Sequence, residues 1–130
     1  MQTPTEKNTS FSTLPTAGKL AAFRDWLNDH KALDVTVLDL AGSGAFAEGM
    51  IVATATSVRH AQSLADGIAL YCRERNFEYL RMEGYAAGQW ILVDCNDVVM
   101  HIFQSSARAL YNIENLWGAV ASARALRQEG

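Results

Sequence analysis

The sequence lacks several features that define common protein classes. It has no apolar run near the roughly 18 residues that a membrane-spanning helix needs. Basic residues are not in excess, since 11 Lys and Arg against 14 Asp and Glu give a net charge of −3, which argues against binding by neutralising nucleic-acid phosphates. Only two cysteines occur, Cys72 and Cys95, far apart and without a second metal-type pair, as is typical of reduced cytosolic thiols. We therefore expect a soluble, cytoplasmic protein with no direct sequence-specific binding to nucleic acid.

Motifs of phosphate and metal chemistry are also missing. The glycine-rich break Gly42-Ser43-Gly44 matches neither a P-loop nor a dinucleotide-binding loop, because both need further glycines at fixed spacing and the P-loop needs a lysine as well. No Asp-x-Asp or Glu-x-Glu pair occurs to hold the two metal ions of a nucleotide-transferring enzyme. We therefore expect no cofactor, no metal site and no enzymatic activity.

The length and composition are those of one globular domain. A chain of 130 residues with 49% apolar residues is long enough to bury a real core but too short for two domains. Residues 1–15 are rich in Ser and Thr and contain both prolines, which predicts a disordered N-terminal tail. Residues 16–117 should form the domain, and 118–130 a helical C-terminal extension.

Apolar periodicity predicts the elements of this domain. Helical spacing indicates one helix at Ala17–Asp29, capped by Thr16, and a longer one from Ser57 or Val58 to Arg75, capped by Ser57. A short helix should follow at Ser106–Tyr111, with Ser105 or Ser106 at its start. The predicted strands are Asp34–Leu40, Gly49–Thr54, Phe77–Met82, Trp90–Cys95 and Val98–Phe103. This order predicts an α/β fold, a mixed sheet of about five strands flanked by helices.

The last two strands are the most informative stretch. Only Asn96-Asp97 separates them, which favours an antiparallel hairpin. Trp90 opens the hairpin and alternates with Ile91 and Val93, so these two can face the core while Trp90 faces the other way. A tryptophan here suits an interface anchor, and core burial fits the local sequence equally well.

Other side chains in the hairpin are candidates for chemistry. Asp94, Asp97 and His101 could be metal ligands or an acid and base pair. The two aspartates flank a tight turn, where such side chains usually accept hydrogen bonds from nearby amides, and His101 lies within a strand, where a satisfied or partner-facing imidazole is common. Cys95 has no basic neighbour in sequence to make it a nucleophile. Roles in the turn, in packing and in an interface are therefore favoured over catalysis.

Taken together, these residues form the pattern W-x-x-x-D-x-x-D-V-x-x-H-x-F-x-x-x-x-R-x-x-Y-x-x-E-x-L-W, which runs from Trp90 to Trp117. The pattern resembles the Iojap/RsfS family of ribosomal silencing factors. Two earlier segments, Asp34–Leu40 and Met50–Asp66, resemble the same family, as does Glu83-Gly84 before the tryptophan. The resemblance covers about Ala17–Trp117.

This sequence departs from the family pattern at three positions in or beside turns. Ala55 and Asn96 stand where the family usually has glycine, and Gly49 stands where it has Tyr or Cys. These departures affect the local turn geometry rather than membership.

The resemblance implies a function and a set of contact residues. It implies a factor that binds the large ribosomal subunit through the fourteenth large-subunit ribosomal protein, blocks subunit joining and represses translation under nutrient limitation. It also implies a fold related to nucleotidyltransferases without their catalytic carboxylates, and a homodimer. The implied ribosomal-protein-binding residues are Trp90, Cys95, Asp94, Asp97 and His101. The alternatives are a nucleotidyltransferase-like enzyme and an interaction module of another complex.

Overall fold

The computed structural model describes residues 11–45, 47–113 and 115–116. The predicted C-terminal extension, Trp117 and most of the predicted N-terminal tail lie outside these residues. The helices are α1 (Thr16–Asp29), α2 (Val58–Arg75) and α3 (Ser105–Tyr111). The strands are β1 (Leu33–Asp39), β2 (Gly49–Ala55), β3 (Arg81–Glu83), β4 (Trp90–Asp94) and β5 (Val98–Gln104).

The strands form one mixed sheet in the order β1-β2-β5-β4-β3. Strands β2 and β5 pair in parallel, and every other pair is antiparallel. All seven residues of β2 are buried, as its continuous apolar run predicts for a strand covered on both faces. The predicted α/β fold with a mixed five-stranded sheet is therefore confirmed.

The two long helices pack against the same face of the sheet. Apolar residues of α1, among them Phe23 and Leu27, and of α2, among them Leu64 and Ile68, form one buried cluster with Ile91 and Val93 of β4. Helix α2 begins as predicted, because the Ser57 hydroxyl accepts a hydrogen bond from the His60 N–H at 3.0 Å. The main core therefore lies between the sheet and these helices.

The caps predicted for α1 and α3 are wrong. Thr16 is the first residue of α1 rather than its cap, and its hydroxyl instead donates to Asp97 Oδ2 at 2.8 Å. Neither Ser105 nor Ser106 caps α3: both lie inside the helix, and Gln104 precedes it. The Gln104 side chain makes no cap hydrogen bond and donates to the Gly88 carbonyl at 3.0 Å.

The predicted strand Phe77–Met82 is shorter than expected. Phe77 is buried against the rings of Phe23 and Tyr71, so its segment belongs to the helix side of the core, and pairing begins only at Arg81. The end of the predicted tail also contacts the domain, since the Ser12 N–H donates to the Asn76 carbonyl at 2.9 Å. No helix in the described part of the chain has the length and apolar character needed to cross a membrane.

Candidate functional site

The face of the sheet opposite α1 and α2 is only partly covered. Alternation places Trp90, Leu92 and Asp94 of β4 on this face, because Ile91 and Val93 point into the main core. Cross-strand pairing adds further residues to the same face. We call it the open face, and its central residues are Met50, Val52, Arg81, Trp90, Leu92, Asp94, Val99, His101 and Phe103.

A groove of about 510 Å³ crosses the open face. Its lining is mostly apolar, with Met50, Leu92 and Val99 among the strand residues. Leu80, at the edge of the groove, is 51% exposed. The remaining lining residues are Leu40, Ala45, Ala47, Arg81, Asp94, Asn96 and His101. An apolar depression with a few polar groups is the usual form of a recognition surface.

Trp90 lies beside this groove and is half-buried. Its ring stacks on Phe103 at a centroid distance of 5.1 Å and meets Tyr111 of α3 at 4.7 Å. These contacts belong to a second, smaller apolar cluster that includes Phe103, Met50 and Val52. Trp90 therefore points away from the main core, as its alternation predicts, but part of its ring is packed within its own chain.

Trp90 also makes a directed hydrogen bond to His101. The indole Nε1–H donates to His101 Nδ1 at 2.9 Å. His101 is 5% exposed, and burial lowers its pKa from the ordinary 6.5 to about 4. His101 is therefore neutral near pH 7, with its Nδ1 acting as the acceptor.

Helix α3 is fastened to the sheet by Arg108. Its Nη1 donates to the Asp34 carbonyl at 2.6 Å and to Thr54 Oγ1 at 2.9 Å, and its Nη2 donates to Thr36 Oγ1 at 3.0 Å. These bonds join α3 to β1 and β2, and so hold Tyr111 against Trp90. The sequence pattern contains Arg108, but its partners are distant in sequence and nothing local indicated them.

The two aspartates of the hairpin have structural partners. Asp94 Oδ1 accepts the Asn96 N–H at 2.9 Å, which is the turn role expected from sequence. The Asp97 carboxylate accepts from Thr16 and forms an ion pair with Lys19 Nζ at 3.2 Å. Asp97, Thr16 and Lys19 together tie the hairpin turn to the start of α1, and we call these three residues the clasp. Asp94 lies on the groove, whereas Asp97 is turned towards α1.

Cys95 lies inside the protein rather than on the open face. It is 2% exposed, and its Sγ lies 3.7 Å from that of Cys72 on α2, with both thiols free. The hydrogen bond with Cys72 and burial raise the pKa of the Cys95 thiol. A direct contact between Cys95 and a partner therefore does not fit its position, because the side chain is buried on the side of the sheet that α2 covers. Cys95 instead packs beneath the turn of the hairpin.

Of the predicted contact residues, the structure brings Trp90, Asp94 and His101 together on the open face. Sequence reasoning missed the apolar lining around them, although Leu92 and Val99 alternate in register with Trp90 and His101 and could have been found in that way. In the described ranges, no group of three His, Cys, Asp or Glu side chains could hold a metal ion.

Comparisons with known proteins identify the family. The family profile described as "Ribosomal silencing factor during starvation" matches residues 13–129. A ribosomal silencing factor RsfS from Chromobacterium violaceum is 37% identical over 92 residues, which cover 71% of this chain and 75% of the relative. The RsfS of Halalkalibacterium halodurans is 35% identical over 92 residues, covering 71% and 79%.

A solved structure agrees with these sequence matches. The crystal structure of a protein from Chromobacterium violaceum has 37% sequence identity and a TM-score of 0.70, covering 77% of this chain and 82% of that one. The profile match spans most of the sequence, and the relatives are matched over more than two thirds of their length. The chain therefore belongs to the RsfS family of ribosomal silencing factors.

Proposed function

We propose that this protein binds the large ribosomal subunit through the fourteenth large-subunit ribosomal protein, and that its bulk there blocks joining of the small subunit. The observation that carries the proposal is the open face, where the helices leave an apolar groove uncovered and a partly exposed tryptophan lies beside it. Family membership supports the ribosome as the partner, and translation would fall under nutrient limitation as the family name indicates.

The open face has the composition of a protein-binding surface. Trp90 offers a large and already ordered ring, of the kind enriched among residues that dominate interface energies. The apolar lining would be buried by a partner, while Arg81 and Asp94 lie where they can pair with polar groups at the rim. The net charge of −3 favours a basic protein partner over nucleic acid.

The proposed mechanism is steric and involves no turnover. Two side chains of the hairpin that could take part in a reaction are engaged in the structure: His101 Nδ1 accepts from Trp90, and the Cys95 thiol is buried beside Cys72. Inhibition of subunit joining should therefore be stoichiometric, reaching completion near one protein per large subunit.

We also propose that the protein forms a homodimer, because the family resemblance implies one. Sedimentation equilibrium at micromolar concentration would detect the dimer.

A matched pair of leucine variants tests the contact surface. Leu80 on the groove and Leu70 on α2 are almost equally exposed, at 51% and 49%, but they lie on opposite sides of the protein. Leu80→Glu places a charge in the interface and should weaken binding to purified large subunits at least tenfold, as unpaired charges do at buried contacts. Leu70→Glu should bind as the unaltered protein does.

The readout is light scattering during subunit joining, with co-sedimentation as the binding measurement. The unaltered protein should suppress joining, Leu80→Glu should not, and Leu70→Glu should. If the unaltered protein does not bind large subunits, the proposed function is wrong. If Leu70→Glu abolishes binding and Leu80→Glu does not, the function stands and the contact lies on the helical side.

A further inference from the structure

The hydrogen bond from Trp90 fixes which nitrogen of His101 carries the proton. An indole N–H can only donate, so His101 Nδ1 must be an unprotonated acceptor. A neutral imidazole has one proton, which must then lie on Nε2. The open face thus contains a histidine held in a single tautomer, with its Nε2–H on the ring edge that Trp90 does not occupy.

Among the residues that the structure describes, this N–H has no hydrogen-bond partner. No described residue accepts a hydrogen bond from His101 Nε2, although only 5% of His101 is exposed. Buried donors are nearly always satisfied, because an unmade hydrogen bond costs free energy. His101 is also one of the residues that line the groove, so a molecule in the groove is the available source of an acceptor.

We propose that His101 Nε2–H is a fixed hydrogen-bond donor that selects a carbonyl oxygen of the protein partner seated in the groove, with Trp90 as its positioning residue. This inference rests on the proposed function and names the group by which the same site recognises its partner. Trp90 then acts twice, through its ring as a contact and through its N–H as the group that orients His101.

The surroundings of His101 favour a carbonyl oxygen of a polypeptide. On the open face, Leu92 and Val52 flank His101 on the neighbouring strands, so the site suits a neutral acceptor next to an apolar side chain. A phosphate would have to leave water for a mostly apolar groove, whose Arg81 guanidinium already forms ion pairs with the Glu83 and Asp94 carboxylates. Nucleic acid is therefore the disfavoured partner at this position.

Two amide substitutions separate the bond to Trp90 from the bond to the partner. His101→Asn places an amide near the position of Nδ1, so it can accept from Trp90 but does not reach the groove. His101→Gln is longer, and its amide can accept from Trp90 while its NH₂ reaches about as far as Nε2. The probe is the purified fourteenth large-subunit ribosomal protein. We expect about tenfold weaker binding for His101→Asn, since a buried partner carbonyl loses its donor, and less than threefold for His101→Gln.

Nuclear magnetic resonance of the unaltered protein labelled with ¹⁵N-histidine and ¹⁵N-tryptophan gives a second measurement that needs no variant. His101 Nε2 should resonate as the protonated nitrogen, and its signal should shift on addition of the ribosomal protein. The inference is overturned if Nδ1 carries the proton, or if the Trp90 indole signal responds to the partner and His101 Nε2 does not. Equal binding by His101→Asn and the unaltered protein would overturn it too.

The same measurements distinguish failure of this inference from failure of the proposed function. If the unaltered protein does not bind the ribosomal protein or the large subunit, the proposed function fails first. If it binds both and His101→Asn binds equally well, only the role of His101 fails. If the unaltered protein binds protein-free large-subunit RNA and His101→Asn does not, the donor recognises nucleic acid. That result would contradict the proposed bond to a carbonyl oxygen of a protein.

Discussion

The buried neutral state of His101 should make the stability of this protein depend on pH in a defined range. The pKa of His101 is about 4 in the folded protein against an ordinary value of 6.5. Between these values the unfolded chain binds a proton that the folded chain does not, so the free energy of unfolding falls as the pH falls. The full difference corresponds to about 3 kcal/mol, lost between about pH 7 and pH 4, with no contribution from His101 above that range.

Urea unfolding at a series of pH values measures this loss, and His101→Gln is the control. The substituted glutamine side chain cannot take up the proton, while the carboxylates and the other two histidines are common to both proteins and cancel in the comparison. We expect the unaltered protein to lose about 2 to 3 kcal/mol more than His101→Gln between pH 7.5 and pH 4.5. Parallel curves for the two proteins would refute the argument, because they would mean that His101 titrates as it does in the unfolded chain.

Two further substitutions test the clasp and the ring contacts. Asp97→Ala should lower the free energy of unfolding by about 2 to 3 kcal/mol, because it leaves the Lys19 amine largely buried without its carboxylate; Asp25→Ala is the matched control, since its pair with Arg24 is exposed and should be worth less than about 1 kcal/mol. Trp90→Ala should cost about 2 kcal/mol of stability, less than a fully buried tryptophan, because part of the residue is exposed, and should weaken large-subunit binding at least tenfold. Urea unfolding measures the stability of these variants, and co-sedimentation measures the binding of Trp90→Ala to large subunits. Full binding by Trp90→Ala would contradict its role as an anchor.

The sequence was sufficient for those elements whose pattern is local. The continuous apolar run of β2, the stripe of α2 with its Ser57 cap, and the hairpin of β4 and β5 could all be predicted, because each depends on residues close together in the chain. Alternation along β4 also gave the correct side for Trp90. Membership of the family was visible for the same reason, since its pattern is a continuous stretch.

Contacts between distant segments were not predictable in this way. The Asp97 carboxylate takes its partners from α1, about 80 positions earlier in the chain, and the hydroxyl of Thr16, the residue predicted to cap that helix, is one of them. In the sequence Cys95 ends the predicted strand Trp90–Cys95, but in the fold it lies beside Cys72 of α2. The open face itself depends on both long helices packing on one side of the sheet, which no local pattern specifies.

The partial burial of Trp90 bears on the choice between core and interface that its sequence context left open. The two interpretations apply to different parts of one side chain: one part of the ring packs on Phe103 and Tyr111, while another part is exposed. A side chain that is already ordered loses less conformational entropy when a partner binds. Packing within the chain therefore favours an anchor instead of competing with it. Because the N–H of the same ring is bonded to His101, this order extends to the imidazole, whose remaining N–H is then a directed donor on a mostly apolar surface.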